Sequence, residues 1–387
     1  MTDVVVAGGG LAGAAAACLL ARSGRRVLVL ERESVAAHKV CGEFLNTAAQ
    51  QYLHALGLDP AALGGHRIGA LRLVRGARVA EVRLPSAGMG LSRFRLDEAL
   101  LAHAAAAGAE VRRGHAITAV RVDPTAGDAE KQRMHPAIAL DIAGLPSLRT
   151  ATLFLATGKH DLRGLRRTPA RAPEDLVGFK AHFRLAPEQA RVLSGHVEII
   201  MFPDGYAGLQ PIEDGSANLC LLTSRRRLVR CGGRWESVLP DLLHDSPHLR
   251  RRLDGATSLM PRAAAIYRVP YGFVHAPSAA DAPGVFRLGD QVGVIPSFVG
   301  DGMSIALHSA SVAVEHFLAD LPAAAYHRRL RRDIAGRIRL ASALYRFGRW
   351  PGGQAVLMGL AAAWPGGAAI AARLARLPPR GVSQAAS

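Results

Sequence analysis

The chain has 387 residues, 49% of them hydrophobic, and carries 48 basic against 31 acidic side chains for a net charge of +17. That length supports a large core, with two interlocked domains and a tail. The cysteines Cys18, Cys41, Cys220 and Cys231 show no C-x-x-C spacing, which argues against a zinc ribbon and leaves no metal-ligand set to propose. Apart from Lys39, Lys131, Lys159 and Lys180 the positive charge is arginine, spread without any nucleic-acid-reading motif. Nucleic acid is therefore set aside as a partner, and an anionic membrane surface or acidic substrate is preferred. No leader is read before the first strand, so a reduced, cytoplasmic protein is expected, with the inner face of the membrane as the alternative location.

In chain order, Asp3 to Ala7 is a short β-branched run with the composition of a buried parallel strand. It breaks at Gly8, Gly10 and Gly13, in G-x-G-x-x-G spacing, and an Ala/Leu-rich helix follows over Ala14–Arg22. Gly8 permits the tight turn, Gly10 lets a pyrophosphate approach the backbone, and Gly13 lets helix and strand pack closely. The helix N-terminus offers unpaired N–H groups to phosphate. A second strand, Arg26 to Leu30, ends in Glu31, placed to accept ribose hydroxyls.

The next loop, His38-Lys39-Val40-Cys41-Gly42-Glu43-Phe44-Leu45, should cross over the bound cofactor. Asn46 caps a helix that Gly57 stops. Ile68–Val74 and Val79–Leu84 read as a hairpin with a wet outer face. Ser92-Arg93 opens a helix that ends at Gly108, followed by strands at Ala109–Arg112 and Ile117–Val122. The polar segment 123–136 reads as a solvent loop returning through Ala137–Ile142. A buried strand then ends in Thr157-Gly158-Lys159-His160.

From Val177 to Val269 short strands recur with turn signals, which indicates an antiparallel sheet rich in Leu, Val, Phe and Ile, interrupted by a helical stretch at Trp235–Leu253. A parallel-type strand returns at Val285, with Gly289-Asp290, Pro296 and Gly300-Asp301-Gly302-Met303 leading into a helix to Leu318. This second glycine-rich loop suits a second anion contact. The tail is helical, with Leu330, Ile334, Ile338, Ala341 and Tyr345 on one face, and Gly352–Ala372 is apolar but too broken to span a bilayer. The fold class is thus α/β: a Rossmann-like dinucleotide-binding domain (parallel sheet, discontinuous in sequence), an inserted antiparallel-sheet substrate domain and a helical tail. Its expected boundaries are 1–66, 93–165 and 276–322 for the dinucleotide-binding parts. The substrate hairpin takes 67–92, the substrate domain 166–275 and the tail 323–387.

Four stretches together resemble the FAD-dependent oxidoreductases that include geranylgeranyl reductases and p-hydroxybenzoate hydroxylase-like aromatic-ring hydroxylases. They are Gly8/Gly10/Gly13 with Glu31, the Arg93-x-x-Leu96-Asp97 helix start, Leu155-Ala156-Thr157-Gly158, and Gly289-Asp290 with Pro296 and Gly300-Asp301-Gly302-Met303. The resemblance implies FAD as cofactor and NADH or NADPH as electron donor. It implies pyrophosphate contacts for Gly8, Gly10, Leu11, Ala12 and Gly13, ribose contacts for Glu31 with Arg32 beside it, and a phosphate or ribityl contact for Arg93. Ile117 would lie near adenine, Asp290 with Gly289 would meet the ribityl chain, and Gly158, Gly300, Gly302 and Met303 would complete the flavin edge. Lys39-x-Cys41-Gly42 resembles the reductase branch. Two departures stand out: Thr157-Gly158 where hydroxylases carry Asp-Gly, and Glu43 where reductases continue Cys-Gly with glycine.

Cys41 is read as either a small buried residue or a redox or proton-donating one. Glu43 is read as a general acid or, preferably, as the partner of an arginine. Few charged residues fall in the flavin-facing motifs, so no proton donor beyond Cys41 or water is named. The activity read first is NAD(P)H-dependent monooxygenation of an apolar aromatic, polyketide or isoprenoid-type small molecule. Carbon–carbon double-bond reduction of geranylgeranyl reductase type is the alternative. A basic peripheral membrane flavoprotein with structural FAD is the weaker reading, and halogenation lacks its Trp-x-Trp-x-Ile-Pro pattern. The tail is read as a cap, with peripheral membrane contact through 326–374 as its alternative. Oligomeric state stays open.

Overall fold

The computed structural model describes residues 2–122, 138–167, 175–278, 281–364, 366–367 and 376–377; the segment read as a solvent loop, 123–136, lies outside them. Five parallel strands form the first layer: β1 (Val4–Ala7), β2 (Val27–Glu31), β6 (Glu110–Arg113), β10 (Leu153–Leu155) and β17 (Val285–Arg287), in the order β17-β10-β1-β2-β6. The central strand is buried on both faces, which explains its unbroken apolar run. Val4 and Val6 pack towards helices α1 (Leu11–Arg22), α3 (Arg93–Ala106) and the later Gly302–Leu318 helix. Val5 and Ala7 face a three-stranded sheet of β7 (Ile117–Val122), β8 (Ile138–Ile142) and β9 (Leu145–Thr150).

The second layer is a nine-stranded sheet. Its members are β3 (Phe44–Leu45), β4 (His66–Arg75), β5 (Arg78–Gly90), β11 (Leu176–Arg184), β12 (His196–Phe202), β13 (Gly205–Pro211), β14 (Ala217–Ser224), β15 (Thr257–Ser258) and β16 (Ala264–Tyr267). The hairpin β4–β5 joins it because β4 lies parallel to β12, from His196 opposite Ala70 to Met201 opposite Arg75. The sheet is therefore mixed, where turn spacing alone predicts antiparallel pairing. β3 pairs with the end of β5, so the Cys41 loop is sewn directly onto this sheet, which its sequence does not signal. β9 likewise escapes the pattern, since Pro146 and an exposed middle give it the character of an edge strand.

Helix α2 (Thr47–Ala55) starts at Asn46, whose side chain accepts from Ala49 N–H at 3.0 Å. Short helices α4 (Pro187–Leu193), α5 (Arg225–Arg230), α6 (Trp235–Asp245) and α7 (Pro247–Arg252) cover the outer face of the large sheet. Helix α8 (Gly302–Leu318) returns to the first layer, and α9 (Ala323–Gly348) and α10 (Pro351–Ala363) form the tail. No helix among the described residues is long and apolar enough to cross a membrane.

The apolar stripe of α9 packs inward at all five positions read from its spacing. Two side chains then lock it to β17: Tyr326 donates to the Arg287 carbonyl at 2.6 Å, and His327 Nε2 accepts from the Arg287 N–H at 3.1 Å. At the far end, Leu377 N–H donates to Asp301 at 2.9 Å and the Arg376 guanidinium to the Val299 carbonyl at 3.0 Å. The N-terminal end of α9 and the Arg376–Leu377 segment thus pack on the dinucleotide-binding half, while Met358 and Ala361 of α10 pack against the large sheet.

Burial, with the cations of His275 and Arg287 nearby, holds His327 down at a pKa of about 3, against 6.5 for an ordinary histidine. The unfolded chain therefore takes up a proton that the folded chain refuses. Stability present above pH 6.5 is lost as pH falls towards 3, by on the order of 4 kcal/mol from this group. Urea midpoints at pH 7.5 and pH 5 should differ less for His327→Phe than for the parent chain; equal differences would remove His327 from the account.

Candidate active site

The carboxyl ends of β1, β2, β10 and β17 open into a cleft of about 730 Å³, roofed by the nine-stranded sheet. Such a crevice is where open parallel sheets hold their ligands. Gly8 turns there with φ +102°, and a Cβ on it would lie 2.7 Å from the Ala156 carbonyl oxygen. A Cβ on Gly13 would come within 1.9 Å of the Gly8 carbonyl oxygen. The first glycine loop therefore cannot be rebuilt with side chains. Gly8, Gly10, Leu11 and Ala12 line the cleft, whereas Gly13 does not. At Gly13 strand and helix close on each other, the packing role its spacing predicts.

Two helices point their N-termini at this cleft, α1 from Gly10 and α8 from Asp301, and neither is capped by its own side chain. Lys39 Nζ lies 3.2 Å and Arg93 Nη2 3.5 Å from where a Cβ on Gly10 would stand. Both cations share one carboxylate, with Asp97 accepting from Lys39 at 2.8 Å and from Arg93 at 2.6 and 2.8 Å. One positive charge is left over beside an open helix N-terminus, which fits a pyrophosphate. The cradle fits FAD on those grounds.

The remaining predicted positions lie along the same cleft. Glu31 is buried and its carboxylate accepts from Gly9 N–H at 2.6 Å and Glu33 N–H at 2.9 Å, which ties the glycine turn to the end of β2. Arg32 lines the cleft while pairing with Glu33. Ile117, Gly158, Gly289, Asp290, Gly300, Gly302 and Met303 line it as well. The two glycine loops, far apart in sequence, meet on one cavity. Lys159 pairs with Asp290 at 3.2 Å, and Gln291 donates to the Gly158 carbonyl at 2.8 Å, so the turn after β10 is fastened to the second glycine loop.

The Cys41-Gly42-Glu43 loop is held by the large sheet. Asn218 donates to the carbonyls of Cys41 and Gly42 at 3.1 and 2.9 Å, and Gln210 to that of Glu43 at 2.7 Å. Glu43 is fully buried and adopts φ +60°, the left-handed region that glycine favours. Glycine, which the resemblance to the reductase branch implies at this position, would adopt that conformation without strain. Here a carboxylate occupies it: Lys180 donates to Oε1, as does Arg93 N–H at 2.7 Å, and His182 bonds Oε2 at 2.8 Å. Although desolvation opposes it, these partners keep the Glu43 carboxyl below the usual range. The expected arginine partner is therefore corrected to a lysine and a histidine.

The expectation of few charged groups near the flavin is corrected with it. Lys39, Lys159, Lys180, His38 and His182 were not read as site residues, yet all stand at or behind this cleft. The signal was present in β11, where Phe179, Ala181 and Phe183 pack into the core and Lys180 and His182 alternate with them. Cross-strand pairing puts His182 beside Asn218 and Asn218 beside Gln210, one polar row on one face. His38 lines the cleft, stacks on Phe94 with centroids 4.8 Å apart, and meets His182 edge-on at 4.9 Å; its Nδ1 is buried without a partner. Cys41 lines the cleft half-buried, its sulfur accepting from Glu43 N–H at 3.4 Å.

Away from the cleft, His275, Asp281 and His327 bring possible ligand atoms within 4.8 Å of one another. The Nε2 lone pair of His327 already accepts from Arg287 N–H, which leaves the proton on Nδ1, and Arg287 adds positive charge. The group does not suit a cation.

Residues 1–135 match the FAD binding domain family. A menaquinone reductase of Mycobacterium tuberculosis is 28% identical over 328 residues, covering 81% of this chain and 76% of that protein. A 12-dehydrotetracycline 5-monooxygenase/anhydrotetracycline 6-monooxygenase of Streptomyces rimosus is 35% identical over 127 residues, 31% of this chain and 25% of that protein. A solved geranylgeranyl bacteriochlorophyll reductase-like protein from Thermoplasma acidophilum shares the fold, at TM-score 0.71 and 17% identity, over 93% of this chain and 91% of that one.

Replacing Glu43 by Gln should leave Lys180 buried without its counter-charge and lower unfolding stability by about 3–5 kcal/mol. The pair Glu43→Gly with Lys180→Met, which removes the charge and the left-handed strain together, should recover most of that loss. Chemical denaturation of the single and double variants measures both; an unaltered single variant would contradict the pairing.

Proposed function

From the premise that this chain is an FAD-dependent oxidoreductase, we propose that it reduces a double bond of an apolar, isoprenoid- or quinone-type small molecule, with NADH or NADPH as electron donor. One observation carries the reading. The loop that crosses the cofactor is backed by a proton-handling group, His38, His182, Glu43 and Lys180, where hydride chemistry needs a proton. The relatives support the same direction, since the reductase likeness spans 81% of the chain and the monooxygenase likeness 31% of it. Lys39, Arg93 and the N-terminus of α1 would hold the pyrophosphate, Glu31 a ribose and Asp290 the ribityl chain.

FAD, when bound and reduced, supplies the hydride; the chain's own work is positioning, drying and protonation. Gly178, Ile266, Val269, Val294 and Ile295 line the part of the cleft beyond the cofactor residues and exclude water from an apolar substrate. His38 moves the proton to the substrate atom left electron-rich by hydride arrival. Burial, with Lys180 and His182 as neighbours, lowers its pKa, so the imidazolium formed on it is a stronger acid than an ordinary histidine. Glu43 fixes His182 through Nε2, and His182 fixes the edge of His38. Lys180 keeps Glu43 ionised and out of the proton transfer itself.

A second reading, monooxygenation, is favoured by the hydroxyl group cluster at the cleft. Tyr271 and Ser297 line it, their oxygens 2.6 Å apart, with Tyr206 bonded to both, a set that suits a phenolic or enolic oxygen. The two readings separate on one measurement. Reduced enzyme incubated without oxygen with an isoprenoid quinone should yield a product two mass units heavier, by mass spectrometry; a product gaining one oxygen atom, formed only in air, would favour the second. Turnover should fall as pH rises through the His38 pKa below 6.5. His38→Phe should lower kcat by about 10²-fold, as for loss of a general acid, and flatten that limb while flavin content is retained.

A further inference from the structure

Helix α10 carries no charged residue, and its one polar side chain, Gln354, is buried and donates to the Phe202 carbonyl. Gly353, Gln354, Met358 and Ala361 turn inward, with Met358 and Ala361 packed on Ala80 and Val82 of β5 and on Met201 of β12. The opposite face is open: Ala355, Val356, Gly359, Leu360, Ala362 and Ala363 are exposed, with Val356 at 48% and Leu360 at 55%. Trp350 before the helix and Trp364 after it are each 64% exposed. A soluble surface helix carries polar residues on its outer face, and this one has none.

The neighbouring helix supplies charge. Along α9 the exposed positions include Arg332, Arg339 and Arg346, and towards its end Leu340 and Phe347 are also exposed. Asp333 is its one acidic residue, and it is committed to His308 at 3.0 Å and Arg329 at 3.3 Å. An apolar face bracketed by two tryptophans and flanked by unneutralised arginines matches the boundary of an anionic bilayer, where indole rings sit at headgroup level. At 1.5 Å per residue the helix is roughly 20 Å long, too short for a hydrocarbon core of about 30 Å. It lies in the surface plane. A second copy of the chain is a poorer occupant, because a two-fold contact would set this arginine-rich face against itself.

We propose that α10 and the exposed C-terminal half of α9 dock the enzyme on anionic phospholipid, with Val356, Leu360, Trp350 and Trp364 inserted at the headgroup boundary. This rests on the surface alone and not on the reduction reading above, so either can fail without the other.

The test uses the full-length flavoprotein and vesicles of phosphatidylcholine alone or with one part in four phosphatidylglycerol. Flotation should show binding to the mixed vesicles only, weakened at least 10-fold by 0.5 M salt, with tryptophan emission shifted to shorter wavelength. Val356→Glu with Leu360→Glu should weaken binding at least 10-fold while flavin content and the circular dichroism spectrum stay unchanged. Arg339→Glu with Arg346→Glu should do the same and lose the salt dependence. Absence of binding by the parent chain would overturn the proposal, as would binding indifferent to both variants. A dimer that the Val356→Glu, Leu360→Glu variant converts to monomer, without vesicle binding by the parent, would assign the face to a second copy instead.

Discussion

The site depends on a buried carboxylate in a backbone conformation that normally excludes side chains. Glu43 sits in the left-handed region, fully enclosed, and its two oxygens receive Lys180, His182 and the N–H of Arg93. Its carbonyl takes Gln210, and its own N–H reaches Cys41. Burying a lysine and a carboxylate together is costly unless the carboxylate oxygens are well partnered, and here they are met from β11, through Lys180 and His182, and from the start of α3, through the Arg93 N–H. The consequence is mechanical. The Cys41-Gly42-Glu43 loop cannot move without breaking contacts to β11 and β13 or to the start of α3.

That same arrangement links charge on the two sides of the loop. On the cofactor-phosphate side, Lys39 and Arg93 converge on Asp97 with one positive charge to spare. On the sheet side, Lys180 and Glu43 compensate each other, and His182 is bonded to Glu43 and meets His38 edge-on. Arg93 belongs to both: its guanidinium serves the phosphate end, and its backbone N–H serves Glu43. Arg93 thus joins the two sides of the loop through the first turn of α3.

The parallel strands, the glycine loops and the inward stripe of α9 were legible because each is a local pattern with one physical solution. A four-residue apolar strand followed by Gly8, Gly10 and Gly13 has few alternatives, and Leu330, Ile334, Ile338, Ala341 and Tyr345 can share a face only as a helix. The wall of the site was not legible in the same way. Lys180 and Glu43 are 137 positions apart, and their pairing rests on the register of β11 against β14 and on the short β3–β5 pairing. Alternation in β11 announced that Lys180 and His182 share a face, but not that this face would be roofed by a loop rather than by water. The departure at position 43 was visible as a departure; its cause, a φ of +60° compensated by a buried ion group, required coordinates.

The second departure, Thr157-Gly158-Lys159 in place of an Asp-Gly turn, acquires a role from its surroundings. Lys159 is paired with Asp290, the Gly158 and His160 carbonyls both accept from Gln291, and Thr157 closes the turn by donating to the His160 carbonyl at 2.7 Å. Arg167 adds a bond from the Lys159 carbonyl across to that of Asp290, donating to both at 2.6 and 3.1 Å. The hydrogen-bonding groups of this turn are therefore engaged inside the protein. A turn so engaged is a brace: it holds the Gly289-Asp290 loop against the end of β10, and with it the distance between the two glycine loops. An acidic residue at position 157 would stand beside Lys159 and compete with Asp290 for its charge, loosening the loop that positions the flavin end of the cleft. The chain's choice of threonine there and its choice of lysine two positions on are consistent with one another, since each preserves the Lys159–Asp290 ion pair.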